Sequence, residues 1–490
     1  MKVGIVGSGI GGLSTACRLA AKGHDVTVFE KNSRPGGKIN EIRADGYRFD
    51  TGASLFTLPG LIEDLTKELG LDNQEKFSYR KLDVLCKYFY NDKTSFTAYA
   101  NRDKFMAECL KLGENEKKIT RYLKKVEKLY QLTADIFIFR SLHKISNFLR
   151  WKVFTAFLQV YKIEFYRSMH ASNIRSFRNS KLVRIFDRYG TYNGSNPYKA
   201  PATLNVIAHL ENNLGGWFPN QGMYSLVTYL FEAAKQLGVK FNFETEVTKV
   251  LTEKKQAKGV IANGKEISFD KLVINTDVNY VVDNMMDKHP LKNRLKRAEP
   301  STSALVFYWG IKREFPEVDF HNILFSDNYK EEFNKLFVEK QLQDDPTIYI
   351  FVSSRVVKTD APEGCENWFV MINTPSITNQ NWDEFVKQAR QKIVAKINKT
   401  LNTDIEQYIE TENVSSPLTL RDTTLSANGS LYGNSSNSML SAFMRHPNFL
   451  SRIKNIYFVG GSVHPGGGIP LCLAGSKIVA DEFPHTNETN

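Results

Sequence analysis

The sequence contains few cysteines and no long apolar run. Its 490 residues include five cysteines, scattered without a CxxC pair or a histidine partner at metal-ligand spacing. An odd, scattered set argues against a disulfide framework or a zinc site and favours a reducing compartment. Because no run of about 18 apolar residues occurs, we expect no membrane-spanning helix. Met1 and Lys2 lead straight into a predicted strand rather than a signal peptide, so we expect a cytoplasmic protein. Because no cysteine or histidine pair has metal-ligand spacing, we expect no bound metal.

Acidic residues are scarce in one part of the chain. The net charge of the whole sequence is +12, and residues 117–190 hold 17 Lys and Arg against four Asp and Glu. This segment therefore accounts for the whole positive excess. A basic surface attracts nucleic acids or anionic membranes. Since the sequence shows no nucleic-acid recognition module, we expect no nucleic-acid partner.

A glycine-rich turn follows the first predicted strand, at residues 3–6. The turn reads Gly7-Ser8-Gly9-Ile10-Gly11-Gly12 and opens an amphipathic helix. Gly7 allows a tight turn, Gly9 lets the backbone approach a pyrophosphate, and Gly12 permits close packing of helix and strand. The helix N-terminus offers free N–H groups to phosphates.

An acidic residue ends the next predicted strand, Asp25–Glu30. Glu30 suits a hydrogen bond to a ribose hydroxyl, and its charge repels a 2′-phosphate. Strand, glycine turn, helix and acidic residue follow one another in the order of a Rossmann-type βαβ unit. The sequence therefore predicts a dinucleotide site at this end of the chain.

Three further glycine segments favour FAD over a nicotinamide cofactor. Residues 34–38 (RPGGK), shortly after Lys31, form a second glycine turn with cations that would lead a pyrophosphate toward a flavin. Residues 46–54 (GYRFDTGAS) supply small side chains against a flat ring. Residues 459–470 (VGGSVHPGGGIP) place a second helix N-terminus where it would stabilise a negatively charged reduced flavin. The sequence therefore predicts non-covalently bound FAD.

The predicted nucleotide elements lie at both ends of the chain, so its two domains must exchange segments. A chain of 490 residues with 42% apolar residues predicts two cores. We predict an α/β protein with mixed α+β features, in which a Rossmann-type FAD-binding domain is interleaved with a substrate domain of mixed sheet and helices. The FAD-binding domain comprises residues 1–75, 205–290 and 440–490. The substrate domain comprises residues 76–204 and 291–439.

Hydrophobic periodicity predicts several further elements. The predicted helices cover residues 102–170, residues 204–237 with a break at Gly215-Gly216, and residues 381–399. The predicted strands cover residues 238–275, as a meander with a turn at Asn263-Gly264, and residues 306–311, 347–353 and 456–459.

Taken together, these segments resemble the phytoene-desaturase-type carotenoid desaturases of the amine-oxidase-like flavoproteins. The resemblance covers nearly the whole chain and includes residues 196–201 (NPYKAP), 216–223 (GWFPNQGM) and Ser416-Pro417. Residues 464–470 (HPGGGIP) are its most specific part. In overall character the chain is most similar to the 1′-hydroxycarotenoid 3,4-desaturases.

The resemblance extends the set of expected cofactor contacts. It implies that Val247 faces the adenine through its backbone. Gly461 and Ser462 stand where many flavoproteins of the wider group carry an acidic residue, which fits the carotenoid branch. The full set of predicted cofactor-binding residues is Gly7, Ser8, Gly9, Ile10, Gly11, Gly12, Glu30, Lys31, Gly37, Lys38, Gly52, Ala53, Ser54, Val247, Gly461, Ser462, Gly468, Ile469 and Pro470.

The resemblance implies an enzyme that introduces a double bond into a carotenoid. A hydride passes to the flavin and a base or water takes a proton, while the protein contributes orientation and a dry site. Asp135, Glu164 and Asp187 are candidate bases, and His464 lies beside the flavin turn. A hydrogen bond to the turn backbone is the favoured interpretation of His464. No catalytic residue is assigned.

Residues 110–190 are predicted to form a basic helical part that associates with a membrane. Within it, residues 148–166 (FLRWKVFTAFLQVYKIEFY) form an apolar helix with one narrow polar stripe. This helix either packs into the substrate domain or inserts aromatic side chains into lipid beside anionic headgroups. The aromatic side chains are Phe148, Trp151, Phe154 and Phe157. Because a carotenoid is nearly insoluble in water, we expect peripheral association with the inner face of a membrane.

Other functions remain compatible with these motifs. A carotenoid or retinoid saturase or isomerase would share nearly all of them, and a flavin amine oxidase would share the cofactor site. A basic entrance would repel the cationic substrates of an amine oxidase. A prenyl-binding escort protein would use the fold without redox chemistry, and it would not need the glycine segments at both ends. Oxygen and a membrane quinone both remain candidates for the electron acceptor.

Overall fold

The computed structural model describes residues 1–71, 77–141, 164–438, 441–442 and 444–486. The strands of this part of the chain are β1 Lys2–Val6, β2 Asp25–Phe29, β3 Glu41–Ala44, β4 Tyr47–Asp50, β5 Tyr79–Lys81, β6 Val84–Phe89, β7 Ser95–Tyr99, β8 Trp217–Pro219, β9 Lys240–Asn242, β10 Val247–Glu253, β11 Gln256–Ala262, β12 Lys265–Ser268, β13 Lys271–Ile274, β14 Ser303–Ile311, β15 His321–Leu324, β16 Ile348–Val352, β17 Glu366–Thr374, β18 Ile409–Ser415 and β19 Ile456–Phe458. The α-helices are α1 Ile10–Ala21, α2 Gly60–Glu68, α3 Arg102–Lys111, α4 Glu116–Phe137, α5 Met169–Ser176, α6 Ser180–Asp187, α7 Val206–His209, α8 Tyr224–Gln236, α9 Val278–Tyr280, α10 Lys292–Lys296, α11 Tyr329–Asn334, α12 Trp382–Leu401, α13 Pro417–Thr424 and α14 Ile469–Ala480.

A five-stranded parallel sheet gathers strands from both ends of the chain. Its order is β19-β13-β1-β2-β9. The strand β1 pairs with β2 from Lys2 opposite Asp25 to Val6 opposite Phe29, and its last four residues are buried. Such burial suits a parallel sheet covered by helices, among them α1, which packs against α8 and α14. The predicted recruitment of both chain ends into one sheet is confirmed, whereas the domain boundaries stay a prediction.

A seven-stranded mixed sheet forms the second half of the fold. Its order is β18-β14-β17-β16-β15-β6-β7. Every residue of β14 is buried, and alternate residues point to opposite faces. Phe307 and Trp309 pack with Trp382 and Ile393 of α12, while Val306 lies on the other face with the core of the parallel-sheet half. The helix α12 therefore closes one face of the sheet, and the other face is turned toward the functional cavity.

Most elements predicted from hydrophobic periodicity are confirmed within a few residues. The predicted meander is confirmed for β10, β11 and β12, and its turn Asn263-Gly264 has positive φ at both residues. The flanking strands β9 and β13 instead join the parallel sheet. The break predicted near Gly215-Gly216 contains the unpredicted strand β8, which pairs with β5. A strand of three residues carries too short a pattern to be recognised from periodicity.

The basic part of the chain is helical where the structure describes it. The helices α3 and α4 confirm the prediction after residue 102, and the Asn115 side chain caps α4 by accepting bonds from Lys117 N and Lys118 N. Buried apolar residues form one face of α4, and exposed basic residues lie on the opposite face. Most of the predicted aromatic helix at 148–166 lies outside the described residues. Among the described helices, none combines the length and apolarity needed to cross a bilayer.

A buried ion cluster around Arg48 joins three parts of the fold. The Arg48 side chain, 8% exposed, bonds Glu41 at 2.6 Å, Asp50 at 2.7 Å and Asp360 at 3.2 Å. Asp50 also accepts a bond of 3.0 Å from Tyr224 N, at the positive end of the α8 dipole. The cluster therefore links the β3–β4 hairpin to α8 and to the segment that follows β16.

The substitution Arg48→Met should lower the free energy of unfolding by about 3–5 kcal/mol, because its carboxylate partners would stay buried without their cation. Urea denaturation followed by far-UV circular dichroism measures this change. Arg43→Met is the matched control, since the Arg43 side chain is 69% exposed and bonds the same Glu41. We expect the control to change stability by less than about 1 kcal/mol. Equal stability of Arg48→Met and wild type would show that the cluster does not hold these parts together.

Candidate cofactor and substrate cavity

One continuous cavity of about 610 Å³ joins the parallel sheet to the seven-stranded sheet. Its first part, here called the nucleotide side, is lined by residues at the carboxyl ends of β1, β2, β13 and β19. Its second part, the far side, is lined by residues of α4, β6, β15, β16 and β17. Ligands of open α/β sheets bind at the carboxyl ends of the strands. The cavity therefore continues from a nucleotide-binding edge into the second half of the fold.

The turn after β1 brings α1 as close to the sheet as backbone atoms allow. A Cβ atom on Gly12 would lie 2.1 Å from the carbonyl oxygen of Gly7. Gly7 has a φ of +94°, which residues with a side chain rarely adopt. Asn275, just after β13, donates from Nδ2 to Gly7 O at 3.3 Å. The start of α1 is thereby fixed, and residues 9–11 line the cavity.

The Glu30 side chain is held at the cavity wall by its neighbours. Its Oε2 accepts bonds from Ser8 N at 2.9 Å and Ser8 Oγ at 2.7 Å. Its Oε1 accepts bonds from Asn32 N at 3.0 Å and Asn32 Nδ2 at 2.7 Å. The Asn32 side chain is half-buried and also lines the cavity, so it is the donor that a ribose hydroxyl would replace. Glu30 is therefore positioned for the role predicted from the sequence.

Almost all of the sequence-predicted cofactor residues line the cavity. The exceptions are Ser8, which supports the acidic side chain, and Gly12, which packs against the turn. The second glycine turn lies beside the first, because Gly36 N donates to Ser8 O at 3.0 Å. Lys38 follows this turn and donates from Nζ to Leu431 O at 2.5 Å. The predicted residues that line the cavity are Gly7, Gly9, Ile10, Gly11, Glu30, Lys31, Gly37, Lys38, Gly52, Ala53, Ser54, Val247, Gly461, Ser462, Gly468, Ile469 and Pro470.

The C-terminal glycine segment supplies a second helix N-terminus. The helix α14 begins at Ile469, and no side chain of the described residues caps it. Pro470 has no N–H group, so the N–H groups of Ile469 and Leu471 are those that the first turn offers to a ligand. Ser462 Oγ accepts a bond of 2.9 Å from Val278 N, which ties this segment to the edge of the parallel sheet. Both ends of the chain thus present helix N-termini to one cavity.

Two buried charged residues of the nucleotide side were missed by the sequence analysis. Asp277 Oδ2 and Arg445 Nη2 have no hydrogen-bond partner within the described part of the chain, and both residues line the cavity. Burial raises the pKa of Asp277 and lowers that of Arg445 to about 10. Asp277 follows β13 at the carboxyl edge of the sheet, so strand prediction contained a signal for it. Arg445 lies in an irregular segment without a recognisable pattern.

These features fit FAD. Residues 9–11 suit the pyrophosphate, and Glu30 suits a ribose. A Cβ atom on Gly52 would lie 2.1 Å from Lys38 O, so the backbone is closely packed where a flat ring is expected. The buried polar atoms of Asp277 and Arg445 would gain partners from a polar ligand. The nucleotide side therefore offers a cradle for each part of the cofactor.

The far side of the cavity is lined mainly by apolar side chains. These side chains belong to Leu85, Phe137, Ile138, Val206, Ile207, Leu210, Val306, Ile323, Phe369 and Met371. Apolar walls of this kind bind long apolar ligands and keep water out.

A buried polar cluster interrupts this apolar wall. Arg188 donates to Tyr88 Oη at 2.8 Å, Glu211 Oε1 at 3.1 Å and Tyr192 Oη at 3.2 Å. Tyr192 Oη in turn donates to Glu211 Oε2 at 2.5 Å. Arg188 is 7% exposed, so this residue of the basic segment 117–190 lies in the interior of the protein. The sequence offers no signal for this pairing, because the two charged residues lie 23 positions apart, one in a 3-10 helix and the other in a π-helical turn.

A second set of polar contacts runs from the nucleotide side to the far side. Tyr349 Oη lies 2.6 Å from Ser54 Oγ and 2.7 Å from His321 Nδ1. Burial and the positive charge of Arg188 lower the pKa of His321 to about 3. The imidazole is therefore neutral at physiological pH.

The three carboxylates predicted as candidate bases do not line the cavity. Asp135 pairs with Arg140, Glu164 pairs with Lys125, and Asp187 bonds His170 Nδ1 at 2.6 Å. Each of them already has a structural partner, and none faces the cavity as a lining residue.

His464 is held by a backbone hydrogen bond. It lines the cavity and is 2% exposed. Its Nε2 lies 2.6 Å from the carbonyl oxygen of Arg140 and donates to it. As predicted, the His464 side chain bonds to a backbone carbonyl oxygen. This oxygen belongs to Arg140, after α4, and not to the glycine turn as predicted.

The substitution Glu30→Gln should weaken FAD binding about 10- to 100-fold, because a charge-assisted bond to the ribose is lost. Titration of the apoprotein with FAD, followed by flavin fluorescence, measures the dissociation constant. Glu244→Gln is the matched control, since Glu244 is exposed close to Val247 and does not line the cavity. An unchanged affinity of Glu30→Gln for FAD would contradict the assignment of this carboxylate to the ribose.

Comparison with known proteins agrees with this geometry. The family described as flavin containing amine oxidoreductase matches residues 10–482. A 1-hydroxycarotenoid 3,4-desaturase of Flavobacterium sp. (strain P99-3) is 43% identical over 99% of this chain and 99% of its own. A phytoene desaturase of Fusarium fujikuroi is 29% identical over 98% of this chain and 88% of its own. A structure of wild-type putrescine oxidase bound to putrescine has a TM-score of 0.63 at 13% identity, covering 98% of this chain and 99% of that one.

The putrescine oxidase structure has the same fold as this chain. The two desaturases match nearly the whole of this chain, and the matched region covers most of their own length. The predicted amine-oxidase-like architecture and the predicted FAD cofactor are therefore confirmed. The chain belongs to the flavin containing amine oxidoreductase family, as an FAD-dependent oxidoreductase related along its whole length to carotenoid desaturases.

Proposed function

We propose that this protein introduces carbon–carbon double bonds into a carotenoid. The observation that carries the proposal is the continuity of the cavity, which leads from the FAD cradle into a space with mainly apolar walls. FAD, when bound, supplies the acceptor for the hydride that leaves the polyene. The relatives named as carotenoid desaturases at 43% and 29% identity support the same reaction.

The residues of the far side bind and orient the substrate. A polyene has few polar handles, so its position depends on the shape of the apolar wall and on the exclusion of water. Glu211 is the carboxylate that lines this side of the described cavity, and it already accepts bonds from Arg188, Tyr189 and Tyr192. These three donors already occupy both oxygens of the Glu211 carboxylate. A water molecule therefore remains the simplest acceptor of the departing proton.

We further propose a hydroxylated acyclic or monocyclic carotenoid as the substrate, with the new double bond between carbons 3 and 4. The relative that is 43% identical carries this reaction in its name. The identity to this relative is 43% over 99% of both chains, whereas the identity to the phytoene desaturase is 29%. The higher identity favours the reaction named for the first relative over the one named for the second.

The far side offers no free counter-ion to the substrate of an amine oxidase. A substrate amine is positively charged at neutral pH and would have to enter a low-dielectric cavity in which the lining carboxylate of the far side, Glu211, is already paired with Arg188. A neutral polyene pays no such penalty. A saturase or an isomerase would use the same cavity, and the direction of the spectral change separates these activities from desaturation.

We propose that the protein works on the cytoplasmic face of a membrane, as a peripheral protein. Arg121 and Lys124 lie on the exposed face of α4, and the C-terminal end of this helix, about 20 Å further along, lines the cavity with Phe137. Tyr166 is 59% exposed at the edge of the same region. A basic and aromatic surface of this kind suits anionic headgroups and the lipid boundary.

Purified FAD-loaded protein in liposomes should desaturate a hydroxylated carotenoid in the absence of oxygen. We expect flavin absorption to fall and the polyene spectrum to shift to longer wavelength, because the conjugated system grows. A panel of hydroxylated and unmodified carotenoids, with heat-denatured protein as the control, identifies the substrate. A shift to shorter wavelength would indicate a saturase, and flavin bleaching by amines alone would contradict the proposed reaction.

The protein should sediment with anionic vesicles at low salt and detach at high salt. The double substitution Arg121→Glu and Lys124→Glu should weaken this binding at least about tenfold, since each basic residue near an anionic surface contributes about 1 kcal/mol. The matched control is Lys258→Glu with Lys265→Glu, two exposed lysines of the β10–β12 meander. Absence of sedimentation at low salt, or equal loss in both double variants, would contradict the proposed orientation.

A further inference from the structure

The polar cluster of the far side is unusual for a cavity that takes a polyene. The Arg188 guanidinium lies 5.4, 4.8 and 5.3 Å from the ring centroids of Tyr88, Tyr189 and Tyr192. Tyr189 also donates to Glu211 Oε1 at 3.1 Å. Burying this many polar groups beside an apolar ligand costs free energy unless each group is satisfied. A ligand without polar groups gives no reason for the cluster to exist.

Two nitrogen atoms of the cluster region lack a partner. Arg188 Nε and His321 Nε2 are both buried, and neither has a hydrogen-bond partner among the described residues. Both residues line the cavity. An unsatisfied buried donor or acceptor costs about 1–3 kcal/mol. Such atoms at a cavity wall are best explained by a ligand group that completes their hydrogen bonds.

The charge balance of the region defines the kind of group that fits. Arg188 and Glu211 form an ion pair at 3.1 Å, and His321 is uncharged because its pKa lies near 3. A further carboxylate or ammonium group would be buried without its own counter-ion, which is strongly unfavourable. A hydroxyl group is neutral, and it both accepts and donates a hydrogen bond. It can therefore accept from the Arg188 guanidinium and pair with the imidazole of His321 in either tautomer.

The contacts of His321 place this polar region near the part of the cavity where the flavin ring is expected. His321 is connected through Tyr349 to Ser54, which lines the nucleotide side, by contacts of 2.7 and 2.6 Å. The polar group thus lies close to the part of the cavity where the flavin ring is expected. In the proposed substrate, the carbon that bears the hydroxyl is two bonds from the first carbon of the new double bond. A hydroxyl held near the cofactor would therefore place the reacting bond near it as well.

We propose that Arg188 and His321 bind the hydroxyl group of the carotenoid and thereby select the bond that is desaturated. This inference rests on the proposed function for the identity of the substrate. The hydroxyl oxygen accepts from the guanidinium, and the imidazole Nε2 completes the pairing. The apolar wall holds the polyene, and these two side chains set how far the chain enters.

The experiment compares two carotenoids that differ by one hydroxyl group, using the FAD-loaded protein in detergent micelles. Binding is measured by quenching of tryptophan fluorescence, and turnover by the polyene spectrum. Wild type should bind the hydroxylated carotenoid about 10- to 100-fold more tightly. His321→Phe keeps an aromatic ring against Tyr349 and Phe351 but removes Nε2. We expect this variant to lose the preference while it still binds the unmodified carotenoid within about threefold of wild type.

Two further substitutions separate the hydroxyl contact from the structural bond to Tyr349. His321→Asn offers an amide near the position of Nδ1 and should lose the preference. His321→Gln offers one near the position of Nε2 and should keep most of it. His24→Phe is the matched control, because His24 is buried and does not line the cavity. For Arg188, the paired substitution Arg188→Met with Glu211→Gln leaves no unpaired buried charge and should also abolish the preference.

The outcomes are distinct. If wild type binds both carotenoids equally, or if His321→Phe keeps the preference, the proposed hydroxyl site is wrong and the region holds only water. If binding depends on His321 as described but no carotenoid is desaturated, the hydroxyl site stands and the proposed reaction fails. If desaturation occurs without any preference for the hydroxyl, the proposed reaction stands and the hydroxyl site fails.

Discussion

The contact between α1 and the turn that precedes it is the constraint on which the functional site depends. A Cβ atom on Gly12 would lie 2.1 Å from Gly7 O, so only glycine permits this approach. The approach fixes the N-terminus of α1 at the carboxyl edge of the parallel sheet, beside Glu30. The strands β13 and β19 complete the same edge and bring the C-terminal glycine segment and α14 to it. One local packing requirement thus positions the donors from both ends of the chain around the cofactor.

The ligand preference of the far side depends on its apolar walls together with one buried ion pair. Its walls are apolar, which suits a ligand with little affinity for water. The buried pair Arg188 and Glu211 departs from this character without adding net charge. Neutral ligands are therefore favoured over amines and carboxylates, although the fold is shared with a putrescine oxidase. The chemistry of the cofactor is common to the family, and the far side decides which substrate meets it.

Local sequence patterns picked out many residues that line the nucleotide side of the cavity and few that line its far side. The glycine turns, Glu30 and the two helix N-termini are encoded within short segments, so spacing alone identified them. Arg445 reaches the same cavity from a segment without a motif, and Asp277 is marked only by its position after β13 at the carboxyl edge of the sheet. Arg188 was counted within the basic segment 117–190, and a charge tally cannot distinguish a buried arginine from an exposed one. Two partners of Arg188, Tyr88 and Glu211, lie 100 and 23 positions away, and only the folded chain brings them together.

The central claim is that FAD and a carotenoid react within one cavity. Rapid anaerobic mixing of the FAD-loaded protein with a hydroxylated carotenoid, deuterated at carbons 3 and 4, tests it most directly. The account predicts that flavin absorption falls and the polyene spectrum shifts at one common rate, and that deuterium slows both changes. Flavin reduction without a polyene shift, or a polyene shift that leaves the flavin oxidised and is insensitive to deuterium, would contradict the account.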